Sequence, residues 1–172
     1  LNTDESILRE NWTELLPQKE KNLRAYQSSG TTGKRKFVYW GESYLDFLVR
    51  FLTKYLEKVY GLKRINKALV HGPYGWYQEE MSELVWRSGG YLYFIGIETE
   101  GLKKILEENP QKINEIMAPL INNTIRIVSK EKNLDLIRTA PELLEMLYEV
   151  FKNSNFKYIL ISGTSITPET YK

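Results

Sequence analysis

The sequence predicts an α/β fold, a mainly parallel sheet covered by helices on both faces. Two observations predict it. Strand-like and helix-like segments alternate after residue 61, and no tight two-residue hairpin joins the strands there. Parallel strands need crossover connections, and these put helices on the sheet faces.

Taken in order, residues from about Asp4 to Leu16 read as an amphipathic helix closed by Pro17. Strand, loop and strand are expected over Leu23 to Trp40. Glu42 to Tyr60 reads as a strong helix. Leu45, Leu48, Val49, Leu52, Leu56 and Val59 recur at helical spacing, and Gly61 stands where a C-cap belongs. The aromatics Tyr44, Phe47, Phe51 and Tyr55 on this helix read as packing residues. Lys67 to His71 is a short buried strand broken by Gly72-Pro73-Tyr74-Gly75-Trp76-Tyr77, and a helix runs on to about Arg87.

Gly89-Gly90 ends that helix, and Tyr91 to Ile95 is the next strand. Helical segments are expected at Leu102–Glu108, Ile113–Leu120 and about Asn122–Lys132, interrupted by Pro110 and Pro119. Leu134 to Arg138 is a strand, Glu142 to Phe151 a helix opened by Pro141, and Tyr158 to Ile161 a strand. In parallel sheets ligands sit at the carboxyl ends of strands. Three loops fall there: Gly72 to Tyr77, Thr139-Ala140-Pro141, and Ser162 to Ser165.

Composition narrows the function. The 172 residues suffice for one domain with a core. Lys and Arg number 24 against 22 Asp and Glu, and this balance argues against a nucleic-acid partner held by bulk charge. Cysteine is absent, which excludes disulfides, thiolate metal sites and a cysteine nucleophile. A single histidine excludes a histidine-rich metal centre, and no metal ligands are assigned. No apolar run reaches membrane-spanning length and no signal peptide is visible, so the expected location is cytoplasmic, with no membrane partner. The chain opens on Leu1 and closes at Lys172, just inside a helix start at Thr167-Pro168-Glu169. A piece of a longer polypeptide is expected.

The stretch richest in chemistry is Ser28-Ser29-Gly30-Thr31-Thr32-Gly33-Lys34-Arg35-Lys36. Glycines let backbone N–H groups turn toward an oxyanion, hydroxyls add donors, and lysines neutralise charge, as a polyphosphate requires. A polar hairpin turn accounts for Ser, Thr and Gly, but not for three cations at one end. Only Thr31 and Thr32 separate the glycines, and Arg35 follows Lys34. A Walker A loop needs four residues between its glycines and a hydroxyl residue after the lysine.

This stretch resembles the phosphate-loop signature of the adenylate-forming superfamily, S-S/G-G-T-T-G-x-P-K, except that Arg35 stands in place of the proline. The upstream Leu16-Pro17-Gln18-Lys19-Glu20-Lys21 resembles the L-P-x-x-x-K segment of the phenylacetate–CoA ligase branch. His71-Gly72-Pro73-Tyr74-Gly75-Trp76 is similar to the segment lining the family's carboxylate-substrate pocket. Arg138-Thr139-Ala140-Pro141 resembles a structural strand–Thr–x–Pro–helix stretch. Ile161-Ser162-Gly163-Thr164-Ser165 resembles the loop bordering adenine and acyl group, with Thr164 and Ser165 replacing a small residue and a carboxylate.

The resemblance implies that residues 1–172 are the N-terminal part of an adenylating enzyme's large domain. The implied activity joins a small carboxylic acid to ATP, with Mg²⁺, as an acyl-adenylate, and then passes the acyl group to a thiol such as CoA. It implies phosphate binding by Ser28, Ser29, Gly30, Thr31, Thr32, Gly33, Lys34 and Lys36. His71, Gly72, Tyr74 and Trp76 would form the acid pocket, and Gly163, Thr164 and Ser165 the adenine and acyl side. The family's metal-binding glutamate, ribose-binding segment and mobile lysine do not occur, so catalytic residues are expected beyond Lys172. A homo-oligomer is left open. The alternative is a degenerate or truncated, non-catalytic nucleotide-binding or interaction module on the same scaffold, consistent with Arg35 and the altered Gly163 loop.

Overall fold

Two antiparallel strands and, separately, a four-stranded parallel sheet organise the chain in the computed structural model. The structure describes residues 22–27, 37–97, 107–131 and 133–161, with residues 13, 16 and 19. The helix expected at residues 4–16, the loop at 28–36 and the segment from 162 onward fall outside or almost wholly outside these, and of the helix expected at Leu102–Glu108 only residues 107 and 108 are described, both helical. Two units are present, residues 1–55 and 56–172.

In the first unit, the two expected strands, β1 (Arg24–Gln27) and β2 (Phe37–Trp40), pair antiparallel. Arg24 stands opposite Trp40 and Gln27 opposite Phe37. Asn22 donates its side-chain amide to Glu42 at 3.1 Å. Helix α1 (Glu42–Tyr60) starts two residues after β2 and runs into the second unit. It has the expected bounds, and Leu45, Val49 and Leu56 are buried. Its aromatics differ from expectation. Tyr44, Phe47, Phe51 and Tyr55 are exposed, as is Val59. The aliphatic stripe already supplies the buried face, and the aromatics lie on another side of the helix.

The second unit holds β3 (Lys67–Pro73), α2 (Trp76–Arg87), β4 (Tyr91–Ile97), α3 (Ile113–Lys130), β5 (Leu134–Thr139), α4 (Pro141–Met146), α5 (Tyr148–Lys152) and β6 (Phe156–Ile161). The strands are parallel in the order β4-β3-β5-β6. Alternate residues of a strand serve opposite faces. On one face Val70, Gly72 and Arg138 meet α2, where Met81 is fully buried. On the other, Leu69 and Ile137 pack with Leu147 and Phe151, joined by Ile121 and Ile127 of α3.

Two expected helix boundaries differ. Helix α3 continues through Pro119. Proline removes one backbone donor, but Pro119 is exposed, so the carbonyl it frees stands at the solvent side. Burial of Met117, Leu120 and Thr124 offsets the loss. The segment expected as one helix from Glu142 to Phe151 is divided at Leu147 into α4 and α5. Leu147 is fully buried and Phe151 nearly so, and the bend keeps both in the sheet-facing cluster.

The amino ends of all four strands are tied through two residues. Asp135, nearly buried, accepts from the Asn66 N–H at 2.6 Å, the Asn66 side-chain amide at 2.9 Å, the Lys67 N–H at 3.3 Å and Lys157 Nζ at 2.6 Å. The Asn66 carbonyl accepts from Tyr91 N at the start of β4. Burial opposes the Asp135 charge, but the Lys157 ammonium and the Asn66 and Lys67 donors outweigh it and hold the carboxyl below its ordinary value. Asp135→Ala orphans two backbone N–H groups and is expected to cost about 2–3 kcal/mol in urea denaturation. Lys157→Ala removes only an exposed partner and should cost less.

Candidate functional site

Strand order reverses between β3 and β5. The chain leaves β3 to form β4 on one side, then returns to form β5 on the other. A crevice at the carboxyl ends of the strands is the usual ligand position at such a reversal. The β3–β5 register sets Leu69 opposite Ile137 and Val70 opposite Arg138. One residue further, His71 stands beside Thr139.

His71 and Thr139 share the face covered by α3. His71 is 2% exposed and Thr139 0%. His71 Nε2 lies 2.8 Å from Thr124 Oγ1, whose hydroxyl donates to the Leu120 carbonyl at 2.9 Å. The threonine proton is thereby committed, so its oxygen accepts from Nε2–H. The imidazole is the Nε2–H tautomer, and its Nδ1 presents a lone pair. Neither His71 Nδ1 nor Thr139 Oγ1 has a hydrogen-bond partner among the described residues. Buried polar groups are normally satisfied. One idle acceptor beside one idle hydroxyl suits a group that both donates and accepts. Burial pushes the His71 pKa down to about 4, so the ring is neutral at pH 7.

The opposite face carries a second arrangement. Gly72 and Gly96 are register partners on β3 and β4. A Cβ at Gly72 would lie 2.2 Å from the Tyr77 ring, and one at Gly96 1.9 Å from the Tyr74 ring. Only glycine lets the two tyrosines lie this close to the strands. Tyr74 also tilts against Phe94, with ring centroids 5.8 Å apart. Arg138 stands 4.2 Å from the Tyr77 ring centroid and pairs with Glu80 at 3.1 Å. Trp76, half-buried, opens α2. Its N-cap Gly75 has φ 90°, a conformation that favours glycine.

Of the expected pocket residues, the structure brings His71 and Gly72 to the reversal point on opposite faces. Tyr74 lies over β4, and Trp76 lies at the start of α2. Ser28, Ser29, Gly30, Thr31, Thr32, Gly33, Lys34 and Lys36 lie outside the described residues, as do Gly163, Thr164 and Ser165. Sequence reasoning gave Thr139 no chemistry and passed over Arg138, Tyr77 and Gly96. Arg138 had a signal, a cation inside an apolar strand.

A cavity of about 440 Å³ lies at the opposite end of the sheet, beside Asn66, Asn133, Asn155 and Lys157. Its carboxylate, Asp135, is already engaged, so this is the joint of the strand starts. Among the described residues no cluster of three His, Asp or Glu stands close enough to hold a metal ion, and no helix is long and apolar enough to cross a membrane. No protein-family model matches the sequence, and no curated protein matches it.

The depressed His71 pKa makes a stability prediction. The unfolded ring binds a proton below its ordinary value of 6.5, whereas the folded ring does so only near 4. The native state therefore loses stability as pH falls through that window, by roughly 3 kcal/mol from this group. Urea midpoints of the wild type between pH 7 and 4 should show the loss, and His71→Gln should lack that component. In NMR spectra the single histidine should show the Nε2–H tautomer at pH 6.

Proposed function

We propose that this chain is the phosphate-loop-bearing N-terminal part of a cytoplasmic adenylate-forming acid–thiol ligase near the phenylacetate–CoA ligase branch. The observation that carries the reading is the S-S-G-T-T-G-K-R-K stretch, flanked by strands that pair in the structure. β1 ends at Gln27, β2 begins at Phe37, and the two residues are register partners. Residues 28–36 are the stretch that joins those paired strand ends. Gly30 and Gly33 give its backbone the freedom to aim N–H groups at one anion.

In this reading the loop N–H groups, Thr31, Thr32, Lys34 and Lys36 hold the β- and γ-phosphates of ATP. They stabilise the charge that develops on pyrophosphate when an acid carboxylate attacks the α-phosphorus. Mg²⁺ comes with the nucleotide, and no described residue is assigned to it. CoA is the proposed acceptor of the acyl group.

The reversal of strand order beside His71 supports the acid-side assignment, with one refinement. Neutral His71 offers Nδ1 only as an acceptor, so it is not a carboxylate anchor. Its partner is a donor group elsewhere on the acid, or a water. Tyr74 and Trp76 supply apolar wall.

Carboxylate-dependent ATP–pyrophosphate exchange tests the proposal on the longest natural form of the polypeptide, with aryl and fatty acids offered in turn. Exchange supported by one acid class is expected. Absence of exchange from a folded, ATP-binding, full-length chain would replace this reading with the non-catalytic module.

A further inference from the structure

Gly96 interrupts an otherwise bulky strand, for β4 reads Tyr-Leu-Tyr-Phe-Ile-Gly-Ile. A glycine inside a strand weakens it and marks either a bulge or a close approach by another group. No bulge is present, because the β3–β4 register runs unbroken from Lys67 opposite Tyr91 to Pro73 opposite Ile97. The cause is a close approach, and what approaches is the Tyr74 ring. A Cβ at residue 96 would lie 1.9 Å and 2.3 Å from its ring carbons and 2.3 Å from its hydroxyl oxygen.

Tyr74 is held from both sides along the chain. Pro73, the last residue of β3, has its φ fixed by its own ring, and Gly75 has φ 90°. Phe94 precedes Gly96 by two residues, so it serves the same face of β4. Its ring centroid lies 5.8 Å from that of Tyr74, with the planes tilted by 55°. The inner side of the Tyr74 ring is thus seated on Gly96 and braced by Phe94, yet the residue is 63% exposed. Its outer side is an apolar surface at the carboxyl ends of β3 and β4. The neighbouring pair differs. Gly72 makes the same allowance for Tyr77, but the Tyr77 ring is half-buried and lies against Arg138.

We propose that Gly96 is a positioning residue of the acid-binding wall. It sets the depth at which the Tyr74 ring stands, and so the room left for the apolar body of the acid. The proposal rests on the reading of Tyr74 as part of that wall. A methyl group at residue 96 forces the ring outward by about 1.5 Å before ordinary contact distance is regained.

The test is ATP–pyrophosphate exchange on the longest natural form of the polypeptide, with acid and ATP varied separately, beside urea denaturation of each variant. Gly96→Ala should raise the KM for the acid about fivefold or more and leave the KM for ATP unchanged, the mark of lost acid binding alone. Tyr74→Ala, which crowds nothing, should also raise the acid KM. The double variant Tyr74→Ala/Gly96→Ala should match Tyr74→Ala, because the methyl group then has no ring to displace. Its urea midpoint should likewise lack the loss that Gly96→Ala causes by overpacking. A Gly96→Ala variant with a lowered urea midpoint but an unchanged acid KM makes the glycine structural and overturns the proposal. So does a Tyr74→Ala variant with the wild-type acid KM, or a double variant worse for the acid than Tyr74→Ala. In all three of these cases wild-type exchange leaves the ligase reading standing. A wild type that exchanges with no acid overturns that reading, and this assignment with it.

Discussion

The parallel sheet depends on one buried carboxylate. Asp135 accepts from two successive backbone N–H groups at the start of β3 and from Lys157 on β6, while the Asn66 carbonyl accepts from the first residue of β4. Four strands that are distant in sequence thereby share one starting line. Side chains of a strand alternate between faces, so a slip of one residue would exchange them. With the starts fixed, the far ends are fixed too, and His71 comes level with Thr139 on one face while Gly72 and Arg138 serve the other.

What that register delivers at the carboxyl ends is polar chemistry left half-finished. The Nε2–H of His71 is spent on Thr124, and Thr124 spends its own proton on Leu120. Nδ1 and the Thr139 hydroxyl are left facing nothing that bonds them among the described residues. Leaving a buried polar atom idle costs about 1–3 kcal/mol. Across the sheet, Arg138 is held by Glu80 and the Tyr77 ring, and two register-paired glycines each carry a tyrosine on their surface. On the His71 side two buried polar atoms lack a partner among the described residues.

Much of the fold was legible because apolar periodicity reports burial directly. The Lys67–His71 run reads as a buried strand and Leu134–Arg138 as a strand, and both are strands. The limits of α1 followed from its leucine stripe and Gly61. What escaped reading was set by tertiary context. Pro119 looked like a break, yet it faces solvent, and burial of Met117, Leu120 and Thr124 in the same helix offsets the backbone donor it removes. Leu147 looked like mid-helix, and its burial turned the chain there. The α1 aromatics looked like core because aromatic residues usually are, but composition does not say which of two apolar stripes faces inward. The idle Thr139 hydroxyl depends on what stands opposite it across the sheet, a relation absent from any local stretch. The expected phosphate stretch, residues 28–36, lies outside the described residues, and the structure adds only that the strands before and after it pair.

The central claim is that residues 28–36 cradle a polyphosphate, and equilibrium binding of Mg-ATP to the longest natural form of the polypeptide tests it without requiring turnover. Calorimetric titration should show saturable binding that is lost in the double variant Lys34→Ala/Lys36→Ala, with the circular dichroism spectrum and melting temperature unchanged. No binding by the folded wild type, or equal binding by the double variant, would contradict the account.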